Sequence, residues 1–122
     1  MDRRKLLGAG GERAAARLLR RAGYRLLERN YRNSHGEIDI VAREGEELVF
    51  VEVRARSSDE FGSGAESVGP AKRRQLVRMA SAYLQAKKIP EANCRFDVVE
   101  LAMLDNGEPR GNIIKDAFRA DA

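Results

Sequence analysis

The sequence predicts an α/β fold in which two helices pack on a mixed β-sheet. Apolar residues recur at helical spacing over 11–22 and 70–84, and two β-rich runs, 37–43 and 48–55, flank a short Glu-Gly-Glu-Glu connection typical of a hairpin. With 122 residues, 43% of them apolar, the chain is long enough for one hydrophobic core and too short for two. We therefore expect a single domain over 1–122.

Glycine and proline residues mark where the predicted helices begin and end. Gly23 ends the first helix, Pro70 fits the first position of the second, and that helix must end before Pro90. The Gly/Ser-rich stretch 56–69 is expected to be a mobile loop beside the functional site. The predicted order is a helix over 11–22, strands over 24–31, 37–43 and 48–55, a helix from Pro70, a strand over 95–104, and a further short strand over 112–114 after the turn Asp105-Asn106-Gly107.

Composition excludes several classes of protein. No stretch approaches the roughly 18 uninterrupted apolar residues of a membrane-spanning helix, and the basic first residues lack the apolar segment of a signal peptide. Cys94 is the only cysteine, which excludes an internal disulfide and a cysteine-based metal cluster. We expect a cytoplasmic protein that has no membrane partner.

The charge is unevenly distributed along the chain. The net charge is +4, but residues 1–32 carry ten Lys and Arg against three Asp and Glu, whereas 33–122 carry thirteen against sixteen. A second basic segment, 70–88, has six Lys and Arg and no acid. Two basic segments flanking an acidic centre suit a polyanion held over a carboxylate site, although solvated helix faces would give the same pattern.

Charged residues interrupt the two central β-rich runs: Glu37, Asp39, Glu52 and Arg54. A charge in a buried strand is costly unless it is paired or binds a metal. Because side chains alternate across a strand, Ile38 and Ile40 are expected on the face opposite Glu37 and Asp39.

The hairpin register decides which of these charges meet. With the turn centred on residues 45–46, Asp39 lies directly opposite Glu52, and Glu37 lies opposite Arg54. The second pair can form a cross-strand salt bridge, whereas two opposed carboxylates repel each other unless they share a cation. Ligation by oxygen alone indicates Mg²⁺ or Mn²⁺.

Glu12 is a third acid, carried by the first helix. It precedes Ala15, Ala16 and Leu19 at i+3, i+4 and i+7, so it continues the buried stripe rather than the exposed face. It is therefore expected to reach the acidic face of the sheet. The alternative is a first-turn glutamate that is favoured only by the helix dipole.

The spacing of these acids resembles the PD-(D/E)XK nuclease superfamily. Asp39 is followed, after twelve residues, by Glu52-Val53-Arg54, and Glu12 lies upstream on a helix. Within that superfamily, the GE-x-D and FVEV-[KR]-x-R patterns, the helical GE opening and the segment from Lys72 to Leu84 are similar to those of the small bacterial YraN family. Members of that family look similar to archaeal Holliday junction resolvases.

The resemblance implies a restriction endonuclease-like fold and Mg²⁺- or Mn²⁺-dependent cleavage of branched or otherwise structured DNA. Asp39 and Glu52 would bind the metal, with a backbone oxygen from Val53. A homodimer is expected because a resolvase-like enzyme must cut two strands. The implied catalytic residues are Asp39, Glu52, Arg54, Glu12 and Glu37. The residues expected to bind nucleic acid are Arg13, Arg17, His35, Lys72, Arg73 and Gln75.

Two positions depart from the superfamily motif. Ile38 stands where the motif name has proline, and Arg54 stands where it has lysine. Arginine can brace a phosphate but stays protonated, so it cannot act as a general base. Lys72, on the inward stripe of the second helix, is a candidate substitute. The alternative function is a catalytically inactive or partner-dependent nucleic-acid-binding module on a nuclease fold.

Overall fold

The computed structural model describes residues 9–56, 68–90, 93–103 and 109–119. Its elements are α1 (Ala9–Arg21), β1 (Arg25–Asn33), β2 (Gly36–Glu44), β3 (Glu47–Arg56), α2 (Pro70–Ala86), β4 (Cys94–Met103) and β5 (Pro109–Phe118). The predicted order, including the further strand at the C-terminal side, is confirmed. Most of the predicted loop, 57–67, and the turn at 105–107 lie outside the described residues. Of the helices described, none has the length and hydropathy needed to cross a bilayer.

The five strands form one mixed sheet in the order β1-β2-β3-β4-β5. β3 and β4 are parallel, and every other neighbouring pair is antiparallel. A parallel neighbour cannot be reached through a tight turn, so the chain crosses over through α2 between β3 and β4. The predicted mixed sheet flanked by helices is therefore confirmed.

The two helices cover opposite faces of the sheet. Ala15 and Leu19 of α1 belong to a buried cluster that includes Val51 of β3. On the other face, Tyr83 of α2 packs edge-to-face on Phe50 of β3, with ring centroids 5.7 Å apart. Because side chains alternate along a strand, odd-numbered positions of β3 face α1 and even-numbered positions face α2.

The alternation of β2 breaks at Asp39. Ile40 packs in the core beneath α1, but Ile38, which was predicted on the same face, packs in the core beneath α2. The β2–β3 ladder ends at the pair Ile40–Val51, and on the other side of β2 the backbone of Asn30 is left-handed, with φ of 55°. A regular pleat contains no such residue. The sheet is distorted on both sides of Asp39, so the prediction for Ile38 is wrong.

A buried ionic network fastens the hairpin end of the sheet to β4. Arg95 contacts both carboxylate oxygens of Asp97 at 2.9 Å and reaches Glu44 at 2.8 Å and Glu47 at 2.9 Å. The hydroxyl of Tyr24 donates to Asp97 at 2.6 Å, and burial followed by this hydrogen bond raises the pKa of Tyr24. Because each charged group in this network is hydrogen-bonded to an oppositely charged one, we assign the network to stability.

Candidate active site

Asp39 and Glu52 lie where β2 and β3 separate. The hairpin pairs up to Ile40–Val51 have the register that the sequence predicts. Beyond that pair, the amide of Val53 donates a hydrogen bond of 2.8 Å to Oδ2 of Asp39. The Asp39 side chain therefore binds the backbone of β3 where the regular ladder has ended.

The two carboxylates are close together in a partly desolvated site. The pKa of Asp39 is raised to about 7, first by burial and then by the negative charge of Glu52. The hydrogen bond from Val53 and the charge of Lys72 act in the opposite direction without cancelling it. The fold thus favours the protonated form of Asp39 more than water does, as expected for one of two neighbouring acids in a partly buried site.

The donor set fits a hard divalent ion that keeps part of its water shell. Mg²⁺ is usually bound by one or two carboxylates together with waters and substrate phosphates, rather than by an all-protein cage. Within the described ranges, no group of three or more His, Cys, Asp or Glu could enclose a metal ion. Asp39 and Glu52 would be the carboxylate ligands of such an ion, with water and substrate oxygens as its further ligands.

Two cations flank Glu52 on the face of the sheet beneath α2. The Glu52 side chain is 9% exposed, and its Oε2 lies 3.4 Å from Nε of Arg54 and 3.5 Å from Nζ of Lys72. Lys72 is in the first turn of α2 and points toward the acids, as its place on the inward stripe indicates. The substitute lysine suggested by the sequence is therefore within reach of the site.

Glu37 has a different partner from the one predicted. Its Oε2 lies 3.1 Å from Nε of Arg32, the residue directly opposite it on β1. Arg54 pairs with Glu52 instead. Because β2 stays paired with β1 after it has separated from β3, Glu37 meets its β1 neighbour. The predicted salt bridge between Glu37 and Arg54 is wrong, and the implied catalytic role of Glu37 stays a prediction.

Glu12 approaches Asp39 from the α1 face of the sheet. Its Oε2 accepts a hydrogen bond of 3.3 Å from Nδ2 of Asn30. Glu12, Asn30 and Asp39 line a cavity together with Arg29. Its volume of about 30 Å³ is enough for about two waters. Asn30 and Arg29 belong to no motif in the sequence, and their only sequence signal is the imperfect alternation of the first strand at this point. The first turns of both helices thus meet the site from opposite faces.

Comparison with known proteins places the chain in a family. The model of the uncharacterised protein family UPF0102 matches residues 11–101, which make up most of the chain. The chain belongs to the UPF0102 (YraN) family. This match spans the acids and both flanking cations of the site, and it ends before β5.

Curated UPF0102 relatives cover nearly the whole chain. A UPF0102 protein of Moorella thermoacetica is 52% identical over 117 residues, which are 94% of this chain and 97% of that protein. A UPF0102 protein of Syntrophus aciditrophicus is 48% identical over 111 residues, or 91% of this chain and 87% of the relative. UPF0102 protein STH1475 of Symbiobacterium thermophilum is 45% identical over 120 residues, covering 98% of this chain and all of the relative.

In this UPF0102 chain, the residues expected to bind nucleic acid lie on both sides of the sheet. Arg13 and Arg17 are exposed on α1. His35 is exposed in the β1–β2 turn, and Nε2 of Gln75 on α2 donates to its carbonyl oxygen at 3.1 Å. The side chain of Arg73 packs against the protein surface. Its Nε donates to the carbonyl oxygen of Val68 at 2.7 Å, and its guanidinium lies 5.4 Å from the ring centroid of Phe118. Arg73 is thus the least available of this set.

Proposed function

We propose that this protein is a divalent-metal-dependent endonuclease that cleaves the phosphodiester backbone of branched or otherwise structured DNA. One observation carries the proposal: the amide of Val53, next to Glu52, donates to Oδ2 of Asp39 at 2.8 Å, so the two acids lie close together, and Glu52 adds to the rise that burial causes in the pKa of Asp39. Mg²⁺ or Mn²⁺ held by these acids, with a backbone oxygen of Val53, would polarise the phosphate and activate a water.

The protein's own residues would position the phosphate and balance its charge. The planar guanidinium of Arg54 can contact two phosphate oxygens at once, and Lys72 adds a second positive charge beside Glu52. Glu12 extends the acidic site on the opposite face of the sheet through its contact with Asn30. Neither cation needs to lose its proton for this role.

Basic surfaces on both faces of the sheet support a DNA substrate with more than one arm. On α1, Arg13, Arg17 and Arg20 are exposed at i, i+4 and i+7, which places them along one side of the helix. On α2, Arg74 and Arg78 are exposed at i and i+4. Phosphate contacts of this kind hold DNA regardless of its sequence.

The direct test is cleavage of labelled four-way, single-stranded and duplex DNA with Mg²⁺ or Mn²⁺. Asp39→Asn and Glu52→Gln keep the side-chain shapes and remove the charges. Each is expected to lower the rate by more than about 100-fold, since even residues that only support metal ligands contribute roughly 10- to 100-fold. Glu46→Gln, in the exposed hairpin turn, is the control and should cleave at the parental rate. Cleavage that survives both site substitutions would refute the proposal.

A second function is favoured by Arg54 at the lysine position of the motif. Because arginine stays protonated, the site lacks a general base at that point. On this alternative the protein binds structured DNA without cutting it, or cuts only with a partner. The same assay separates the two functions. No product with either metal, together with the appearance of product in Arg54→Lys, would favour the binding module.

DNA binding makes a separate prediction for α1. Among the described residues, neither Arg13 nor Arg17 contacts a carboxylate, so both are available to phosphates. Replacing both by glutamine should weaken binding to every DNA shape and reduce the slope of log K against log salt by about two. The measurement is a salt titration of binding by fluorescence anisotropy.

The matched control for this titration is the double variant Lys87→Gln and Arg119→Gln. It removes the same charge from two exposed side chains that already have carboxylate partners, at 3.5 Å and 2.8 Å. The control should leave the salt slope nearly unchanged. An equal loss in both double variants would show that net charge, and not the surface of α1, governs binding.

A further inference from the structure

We infer that Glu52 is a releasable counter-ion: it holds Arg54 and Lys72 until a divalent cation takes its carboxylate, and both side chains then bind a phosphate group of DNA. This inference rests on the proposed function and deepens it. It identifies Lys72 of α2 as a phosphate-binding residue and predicts that metal and DNA each increase the affinity for the other.

One carboxylate oxygen of Glu52 contacts both cations. Nε of Arg54 and Nζ of Lys72 lie 3.4 Å and 3.5 Å from the same atom, Oε2 of Glu52. Glu52 is buried, so solvent screens its charge poorly and the two cations balance it. A divalent cation at the same carboxylate repels both of them and leaves each in need of an anion.

The contacts that Arg54 and Lys72 make to Glu52 are longer than those in the buried ionic network of Arg95. Charge-assisted hydrogen bonds are usually about 2.7–2.9 Å long, as are those that Arg95 makes at 2.8 to 2.9 Å. The contacts to Glu52 are longer, and Nε of Arg54 is buried without a hydrogen-bond partner in the described part of the chain. Nε of Arg54 is thus held to Glu52 by charge rather than by an aligned hydrogen bond, and little hydrogen-bond energy at this atom is lost when a phosphate takes the place of Glu52.

Lys72 has a position from which it can exchange partners. Its side chain is 33% exposed, more than that of Arg54 at 28%. It lies in the first turn of α2, so its flexible stem can turn from Glu52 to a phosphate without moving the helix. Lys72 also acts on Asp39, whose pKa it lowers against the larger effect of burial. The same lysine is therefore coupled to both acids.

Thermodynamic linkage makes the inference measurable without cleavage. If a metal frees the phosphate-binding cations, then metal raises the affinity for DNA, and DNA raises the affinity for metal by the same factor. We expect a factor of about 10, within the range of roughly 5 to 150 found for coupled sites. The probes are a labelled four-way DNA junction and Ca²⁺, measured by fluorescence anisotropy in Ca²⁺ or in EDTA, and by calorimetry of Ca²⁺ with and without the junction.

Two pairs of variants distinguish the release of Arg54 and Lys72 from a general effect of removing negative charge. In EDTA at pH 8, Glu52→Gln should bind the junction about 10-fold more tightly than the parent. Asp39→Asn removes a negative charge from the same site but leaves Glu52 paired with the two cations. Its affinity for the junction should rise less than about 3-fold. Lys72→Gln should reduce the coupling factor at least about 3-fold. Lys87→Gln, whose Nζ also lies 3.5 Å from a glutamate, should keep it.

The outcomes distinguish this inference from the proposed function. Equal gains in Glu52→Gln and Asp39→Asn, an unchanged coupling factor in Lys72→Gln, or parental DNA binding that ignores Ca²⁺ would each overturn the inference, even if the protein cleaves DNA. Coupling that depends on Lys72 would support it, even if no cleavage is found. If Glu52→Gln does not fold, as circular dichroism would show, the comparison of Lys72→Gln with Lys87→Gln decides alone.

Discussion

Replacing Arg95 by alanine is expected to lower the free energy of unfolding by about 3–5 kcal/mol, the range found when one partner of a buried ion pair is removed. Asp97, which is 1% exposed, would lose its counter-charge, and Glu44 and Glu47 would lose their link to β4. A buried carboxylate without a counter-charge is costly, even where neutral donors such as the Tyr24 hydroxyl remain. The change is measured by urea unfolding monitored by circular dichroism.

The control for Arg95 is a salt bridge at the surface. Arg119 and Asp116 form an i,i+3 pair at 2.8 Å, with side chains 58% and 38% exposed. Arg119→Ala should cost no more than about 1 kcal/mol, because solvent screens exposed pairs. If Asp97 is the group left unpaired, the double variant Arg95→Ala with Asp97→Ala should cost less than the sum of the single variants. Strict additivity would contradict this account of the network.

Asp39→Asn is expected to stabilise the protein at pH 8 by on the order of 2–4 kcal/mol. The pKa of Asp39 is raised from 3.8 to about 7 in the fold, so the folded state binds more protons than the unfolded state between these values. The stability of the parent therefore falls as pH rises from about 4 to about 7, and the full cost is present at pH 8. Asparagine has no charge to bury and escapes this cost.

The measurement is the free energy of unfolding of Asp39→Asn and of the parent, from pH 4 to pH 8 in EDTA. The difference between them should grow in favour of the variant as pH rises and level off above the pKa of Asp39. Glu46→Gln, exposed in the hairpin turn, should show no comparable trend. A difference that does not depend on pH would exclude the charged pair as the source of instability. Because the same substitution is expected to lower the cleavage rate by more than about 100-fold, the variant would be more stable and less active.

The predicted hairpin register explains why the acidic pair could be found from sequence. The short connection between β2 and β3 sets the pairing near the turn, and the observed pairs up to Ile40–Val51 keep it. Asp39 and Glu52 are the next positions along the two strands, so the extrapolation was short. The predicted register is wrong two residues further on, at Glu37 and Arg54. There β2 has separated from β3 and remains paired with β1, so Glu37 contacts Arg32.

The sequence by itself determined the order of helices and strands, the register of the central hairpin and the identity of the two acids. These features depend on side-chain periodicity and turn length, which are local along the chain. Only the tertiary structure decided that the β2–β3 ladder ends beside Asp39, that Asn30 lines the cavity next to Glu12, and that Lys72 shares Glu52 with Arg54. The contacts of Asn30 and Lys72 join different elements of the fold, and the packing of both helices on the sheet brings these elements together.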